Sequence, residues 1–303
     1  MLRIDRLLSI YFFGPLLRVR KQSPGAFISI LMYHSVSEDK ETGIHPYYRI
    51  NTSPSRFRDQ MRYLRKKGWQ VIPLSEAIAL PRGAKGDGTQ SSDGKGRFVV
   101  LTFDDGYQDF LTGALPVLQD FGYPATIFLA TGFIGKKTRA EFKGRPCLMW
   151  EEVRALDRYG VEIGSHTVTH RKLWELQWPE VEGELKGSKQ MIEDETGKPV
   201  YHFSFPFAYP ADKRWVSIFR EKLAGCGYLS CATTKVGRHH LAQDALSLKR
   251  LPINDLDDLQ FFEAKLSGGY DWVSTLQALY KPLKARLSAK ANQGLGLAGS
   301  PER

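Results

Sequence analysis

Two adjacent carboxylates, Asp104 and Asp105, and two histidines four positions apart, His166 and His170, are the residues of this sequence best equipped for chemistry. Two histidines at i and i+4 on one helical turn can set imidazole nitrogens about 2.0–2.1 Å from a single Zn²⁺ ion. One carboxylate from elsewhere in the chain completes a three-ligand site with an open position, the pattern of a catalytic metal. Water in that position loses its proton near neutral pH. Neighbouring residues at a strand end point in different directions, so Asp105 can reach the ion while Asp104 takes the proton as general base. Gly106 lets the backbone turn sharply behind them. An oxyanion formed by such an attack needs a backbone donor. Pro206 has no N–H, so Phe207 is the donor expected in its stretch. The leaving group needs an acid, and His34 is the histidine expected to supply it, with His202, His239 and His240 as rivals. Tyr107 and Pro206 are expected to touch substrate.

Such residues act together only if the chain converges them. Continuous apolar runs at 27–33, 98–103 and 125–130, and shorter ones at 71–72, 161–165, 202–205 and 228–232, read as strands. Helical spacing links them, as in Phe57, Met61 and Leu64 within 55–67, and again over 109–121, 150–159, 180–196 and 215–224. Strands apolar on both faces, each followed by a helix, form parallel sheets. About seven such units imply an α/β fold, a distorted (β/α)7-type barrel with one catalytic domain. Barrels work at the C-terminal ends of their strands. His34, Asp104, His166 and Pro206 each follow a predicted strand directly, which makes one shared site the expectation.

The rest of the chain qualifies that picture. With 303 residues, 42% apolar and 25% charged, it can bury a large core. Its formal net charge of +10 suits an acidic glycan, a phosphate-bearing carrier or a membrane surface. No nucleic-acid reader motif is present, so nucleic acid is not an expected partner. Cys147, Cys226 and Cys231 are too few and too irregular for a disulfide framework. Residues 82–97, rich in Gly, Ser and Asp, read as a flexible insertion within the 26–280 barrel, and 281–303 as a frayed basic tail. Residues 1–25 hold a short apolar run from Leu7 to Leu17 with Arg3, Arg6, Arg18, Arg20 and Lys21 around it. The run is shorter than the roughly 20 apolar residues that span a bilayer, and no cleavage site follows it. Residues 1–22 are therefore read as a possible peripheral membrane contact, and the protein as cytoplasmic or peripheral at the inner membrane.

Thr102-Phe103-Asp104-Asp105-Gly106 and Ser165-His166-Thr167-Val168-Thr169-His170 resemble the first two motifs of the polysaccharide deacetylase family, carbohydrate esterase family 4. Leu31-Met32-Tyr33-His34 resembles the opening of its exopolysaccharide-deacetylase subgroup, and the likeness runs over residues 27 to 255. The resemblance implies a distorted barrel, one divalent ion, often zinc, on Asp105, His166 and His170, Asp104 as base, and hydrolysis of N-acetyl groups on a glycan. Two departures stand out. Many members read Arg-x-Pro-Tyr-Gly where this chain reads Ser204-Phe205-Pro206-Phe207-Ala208, so the arginine expected to pair with the base is missing. The late Leu-x-x-His motif is replaced by Leu248-Lys249-Arg250-Leu251. An O-acetyl esterase, a glycan-binding barrel that has lost turnover and a membrane-surface scaffold are the alternatives.

Overall fold

Strands buried on both faces need partners on both edges and cover on both sides, and a closed barrel wrapped in helices gives them both. The computed structural model describes residues 3–19, 27–80 and 97–277. The barrel strands are β1 (Phe27–Tyr33), β2 (Phe98–Phe103), β3 (Ala125–Leu129), β4 (Val161–Ser165), β5 (His202–Ser204), β6 (Ser230–Val236) and β7 (Leu248–Pro252). Each pairs in parallel with the next, and β7 returns to β1 through Leu31↔Leu251, which closes a seven-stranded barrel.

Of the seven strands expected, one lies outside the closed barrel. The run at 71–72 is a short strand, Gln70–Val71, that pairs only with the start of β2. The closing strand is instead β7, whose Lys249 and Arg250 hide it from a search for apolar runs. The helix expected over 109–121 is a π-helical turn, Phe110–Ala114, leading into a shorter α-helix, Leu115–Phe121. Most of the 82–97 insertion and all of the 281–303 tail lie outside the described residues.

Packing follows the alternation of side chains along the strands. Ile28, Ile30, Val100, Phe128, Ala232 and Leu248 cluster together, and Leu74 and Ala77 of the helix Leu74–Ala79 pack against them near the strand starts. Nearer the strand ends lie polar residues, Thr102 on β2, Ser204 on β5 and Arg250 on β7, all buried. The opposite strand faces bury against helices. The helix Pro54–Lys66, capped by Ser53, lays down Phe57, Gln60, Met61 and Leu64. The helix Trp178–Thr196 lays down Val181, Glu184, Leu185, Ser188 and Ile192. Gly113 in the π-helical turn permits a close approach: a Cβ there would sit 1.9 Å from the Val36 carbonyl oxygen, two residues past His34.

Candidate metal centre

The chain places Asp104 and Asp105 at the end of β2, His34 at the end of β1, His166 at the end of β4 and Pro206–Phe207 just past β5, so the expected convergence occurs. The ligand atoms of Asp105, His166 and His170 lie within 4.8 Å of one another, and all three residues are buried. His166 Nε2 is 3.4 Å and His170 Nε2 3.3 Å from Asp105 Oδ1. Neither Asp105 oxygen has a hydrogen-bond partner. A buried carboxylate without a hydrogen bond is costly unless cations compensate it, and an Asp-His-His donor set of this kind fits a divalent ion. Burial raises the Asp105 carboxyl, but His166 and His170 outweigh it and hold it well below the usual carboxylate range. His166 Nδ1 lies 2.7 Å from the Ser204 carbonyl oxygen, to which it can donate, leaving Nε2 as the lone-pair donor.

The two histidines do not share a helical turn as the spacing suggests. Residues 166–170 form an irregular turn, in which Thr167 (φ +73°) and His170 (φ +52°) adopt left-handed backbone. Asp105 (φ +74°) and Phe207 (φ +56°) do the same. Such conformations cost of order 1–3 kcal/mol each and persist only where surrounding contacts fix them. Here the contacts are visible. Thr167 Oγ1 accepts from the His170 amide at 2.9 Å. Buried Glu184 accepts from the Val168 amide at 2.7 Å, the Thr169 amide at 2.9 Å and the Thr169 hydroxyl.

Asp104 does have an arginine. The residue is Arg250, fully buried on β7, whose Nη1 and Nη2 each lie 2.8 Å from an Asp104 oxygen. Arg250 also donates to Ser204 Oγ at 3.0 Å and the Thr233 carbonyl at 3.1 Å. The expectation of a base without its arginine is therefore corrected: a different strand supplies the cation to the same carboxylate. Burial raises Asp104, yet Arg250, helped by His166 and His34, brings it down to about 2. The base is thus held ionised and oriented.

His34 Nε2 lies 4.0 Å from Asp104 Oδ2. Burial lowers the His34 pKa, against the pull of Asp105 and Asp104. Its rivals sit elsewhere: His202 begins β5 and contacts Ser230 Oγ, while His239 and His240 pair with the first residues of β1, at the far end of the barrel. Pro206 is buried and Phe207 is 40% exposed, its ring 4.8 Å from that of His170. Tyr107 is only 1% exposed, its hydroxyl buried without a partner, and burial and then the Asp105 charge push its phenol far above its ordinary pKa. That places it in the packing beside Asp105 rather than on an open groove. Trp174 stacks on Phe205 and meets Phe207 edge-on, whereas Trp178 packs on Trp215. Lys143, on the turn of the hairpin Glu141–Phe142/Arg145–Pro146, brings Nζ to 3.7 Å from Asp105 Oδ2.

Two supporting residues escape a reading of motifs. Arg250 alternates with Leu248 in a strand whose charged residues break the apolar run. Glu184 occupies an inward position of its helix, in register with Val181, Leu185, Ser188 and Ile192. A carboxylate at a core position of a helix is the signal that would have flagged it.

A closed (β/α)7 barrel with an Asp-His-His cluster and an arginine-held aspartate at its C-terminal end defines the class as a hydrolase of the deacetylase kind. The comparisons agree. Residues 91–222, which include β2 to β5 of the barrel, match the polysaccharide deacetylase family model. The Bacillus subtilis (strain 168) protein YxkH, assigned to the polysaccharide deacetylases by name, is 26% identical over 236 residues, covering 78% of this chain and 74% of its own. The Escherichia coli (strain K12) poly-beta-1,6-N-acetyl-D-glucosamine N-deacetylase is 30% identical over 149 residues, 46% of this chain and only 20% of that protein. The Streptococcus pyogenes deacetylase PplD, solved with acetate, has the same fold, with a TM-score of 0.65, 23% identity, and coverage of 80% of this chain and 99% of that one.

Proposed function

We propose that this polysaccharide deacetylase removes N-acetyl groups from a glycan and depends on one divalent ion, zinc, held by Asp105, His166 and His170. The observation that carries the reading is the buried Asp105 carboxylate, which has no hydrogen-bond partner and faces two imidazole nitrogens, with Lys143 Nζ 3.7 Å from its other oxygen. An ion bound there supplies a Lewis acid and lowers the pKa of water at its open position. Asp104, fixed by Arg250, accepts the proton of the attacking water. The Phe207 amide is assigned to the developing oxyanion. His34, beside Asp104, is assigned to protonate the leaving amine. Tyr107 is assigned to support Asp105, and Pro206 to shape the turn beneath the acetyl group. The reading of a barrel that binds glycan without turnover draws on the altered Pro206 motif and the missing late histidine; Arg250 supplies the arginine that the motif lacks, and a pure binder gains nothing from an oriented base.

The test is acetate release from poly-N-acetylglucosamine and chitooligosaccharides by chelator-treated protein before and after zinc is restored. Release that appears only with the ion, and vanishes in Asp105→Ala, supports the proposal. Release unaffected by chelation refutes the metal role. Release from O-acetylated xylan but from neither amide substrate replaces the N-acetyl reading with the ester one.

A further inference from the structure

An ordinary surface helix turns its apolar side inward. The helical segment Ile4–Val19 does the reverse. Between Ile4 and Leu16 the exposed residues are Ile4, Leu7, Leu8, Tyr11, Phe12, Pro15 and Leu16, with no charged side chain among them. Ile4, Tyr11 and Phe12 are 63%, 66% and 58% exposed. Much of the inward side is polar, and specific contacts pin it. Arg3 pairs with Asp5 and with Asp257, and Arg6 with Asp258. Ser9, fully buried, accepts from Trp272 Nε1 at 3.0 Å, and Phe13 stacks on the same indole. The body of the protein therefore holds this helix with its apolar face outward, so that face is built rather than left over from a loose end.

The surroundings indicate what covers it. Beside the start of the helix lies a cavity of about 740 Å³ whose lining includes Arg3, Arg6, Ile44, His45, Arg49 and Asp258. Arg3 and Arg6 are spent on carboxylates, whereas Arg49 donates to a neutral partner, the Ile44 carbonyl. Ile44, Tyr47 and Tyr48 extend the exposed apolar surface along the same loop. In sequence the helix is followed by Arg20 and Lys21, and the whole chain carries +10. Aromatic and aliphatic side chains beside cationic groups match the boundary between acyl chains and anionic headgroups. Among the described residues no helix is long and apolar enough to cross a bilayer, so the mode that fits is contact in the plane of the interface.

We infer that the outward face of Ile4–Leu16, with the loop carrying Ile44, Tyr47 and Tyr48, docks on an anionic phospholipid surface. The loop leaves β1 just beyond His34, and Leu256 and Asp258 of the cavity follow β7, so the docking surface begins at the rim of the barrel end that holds the metal centre. Docking there sets the catalytic mouth beside the membrane, where a glycan still attached to a lipid or leaving the membrane would arrive.

The test is co-sedimentation of the full-length chain with phosphatidylcholine vesicles, with and without phosphatidylglycerol. The proposal expects binding that increases with phosphatidylglycerol. It expects Tyr11→Glu/Phe12→Glu to weaken binding at least about tenfold, since each buried aromatic contributes to partitioning and each new carboxylate is repelled. Arg49→Glu should remove mainly the part that depends on phosphatidylglycerol. The double variant should keep the wild-type melting temperature and its rate on a soluble acetylated oligosaccharide. Absent vesicle binding, or binding indifferent to the double substitution, overturns the proposal. So does a wild-type dimer in light scattering that the double substitution dissolves, since a second copy would then be the cover. Vesicle binding without any acetate release leaves this inference standing and sinks only the proposed activity.

Discussion

Removing the arginine from Asp104 should destabilise the protein in a way that depends on pH and on Asp104 itself. Arg250→Leu leaves a fully buried carboxylate that had two charge-assisted bonds of 2.8 Å. Two unit charges about 4 Å apart interact by about 4 kcal/mol at an effective dielectric of about 20. Breaking a buried pair from one side costs about 3–5 kcal/mol by experience, which agrees. At roughly 2–4 °C per kcal/mol for a domain of this size, the melting temperature should fall by roughly 6–20 °C. The ion must be chelated away from both proteins, because binding to the folded state alone would mask part of the loss.

The pH dependence separates charge from packing. In the wild type, Asp104 titrates at about 2 in the folded state against an ordinary 3.8. A depressed carboxylate stabilises above its unfolded pKa, and that contribution, about 2 kcal/mol here, is lost as pH falls from about 4 through about 2. In Arg250→Leu burial acts unopposed by the arginine and raises the same group. The variant's penalty is then full at neutral pH and shrinks as acid protonates the carboxyl. Denaturant unfolding of wild type, Arg250→Leu, Asp104→Asn and the double variant, at neutral and mildly acidic pH, gives the coupling directly. A coupling of about 3–4 kcal/mol at neutral pH that weakens on acidification is the expected result. A coupling below about 1 kcal/mol, or one indifferent to pH, would refute the argument and leave Arg250 as packing alone.

Three further substitutions probe the supports of the site. His34→Ala should slow acetate release from an amide roughly 10²–10⁴-fold, but release from a phenyl acetate far less, because a phenolate leaves without a proton; equal losses on both substrates would remove His34 as the acid. Glu184→Ala frees the Val168 and Thr169 amides that shape the His166–His170 turn, so zinc affinity measured against a competing chelator should drop about 10–100-fold, and an unchanged affinity would show the turn holds itself. Gly113→Ala drives a Cβ to 1.9 Å from the Val36 carbonyl, and should cost about 1–3 kcal/mol in unfolding free energy and slow turnover through the displaced His34 segment; an unaltered rate would show that segment to be independent of the π-helical turn.

What the sequence makes legible here is what local pattern encodes. Apolar runs betray strands buried on two faces, and five of the seven barrel strands were read within a residue of their bounds. Directly after strand ends, residue type alone then marks Asp104, Asp105, His166 and His34. Two kinds of information are not local. The first is cation supply: Asp104 needs a guanidinium, and chemistry does not care which strand provides it. Arg250 comes from a strand 146 positions away, and its own charge disguised that strand from a search for hydrophobic runs. The second is backbone shape. A four-residue spacing suits a helical turn, yet Thr167 and His170 reach the same end through left-handed conformations that the Thr167 hydroxyl and Glu184, another element's side chain, help to hold. The first helix teaches the converse. Its apolar run was plain from the sequence, but orientation was not, because Leu7-Leu8 and Tyr11-Phe12 look the same whether they pack inward or face out. Ser9 and Phe13 on Trp272 settle which side the barrel takes, and therefore which side is left for something else.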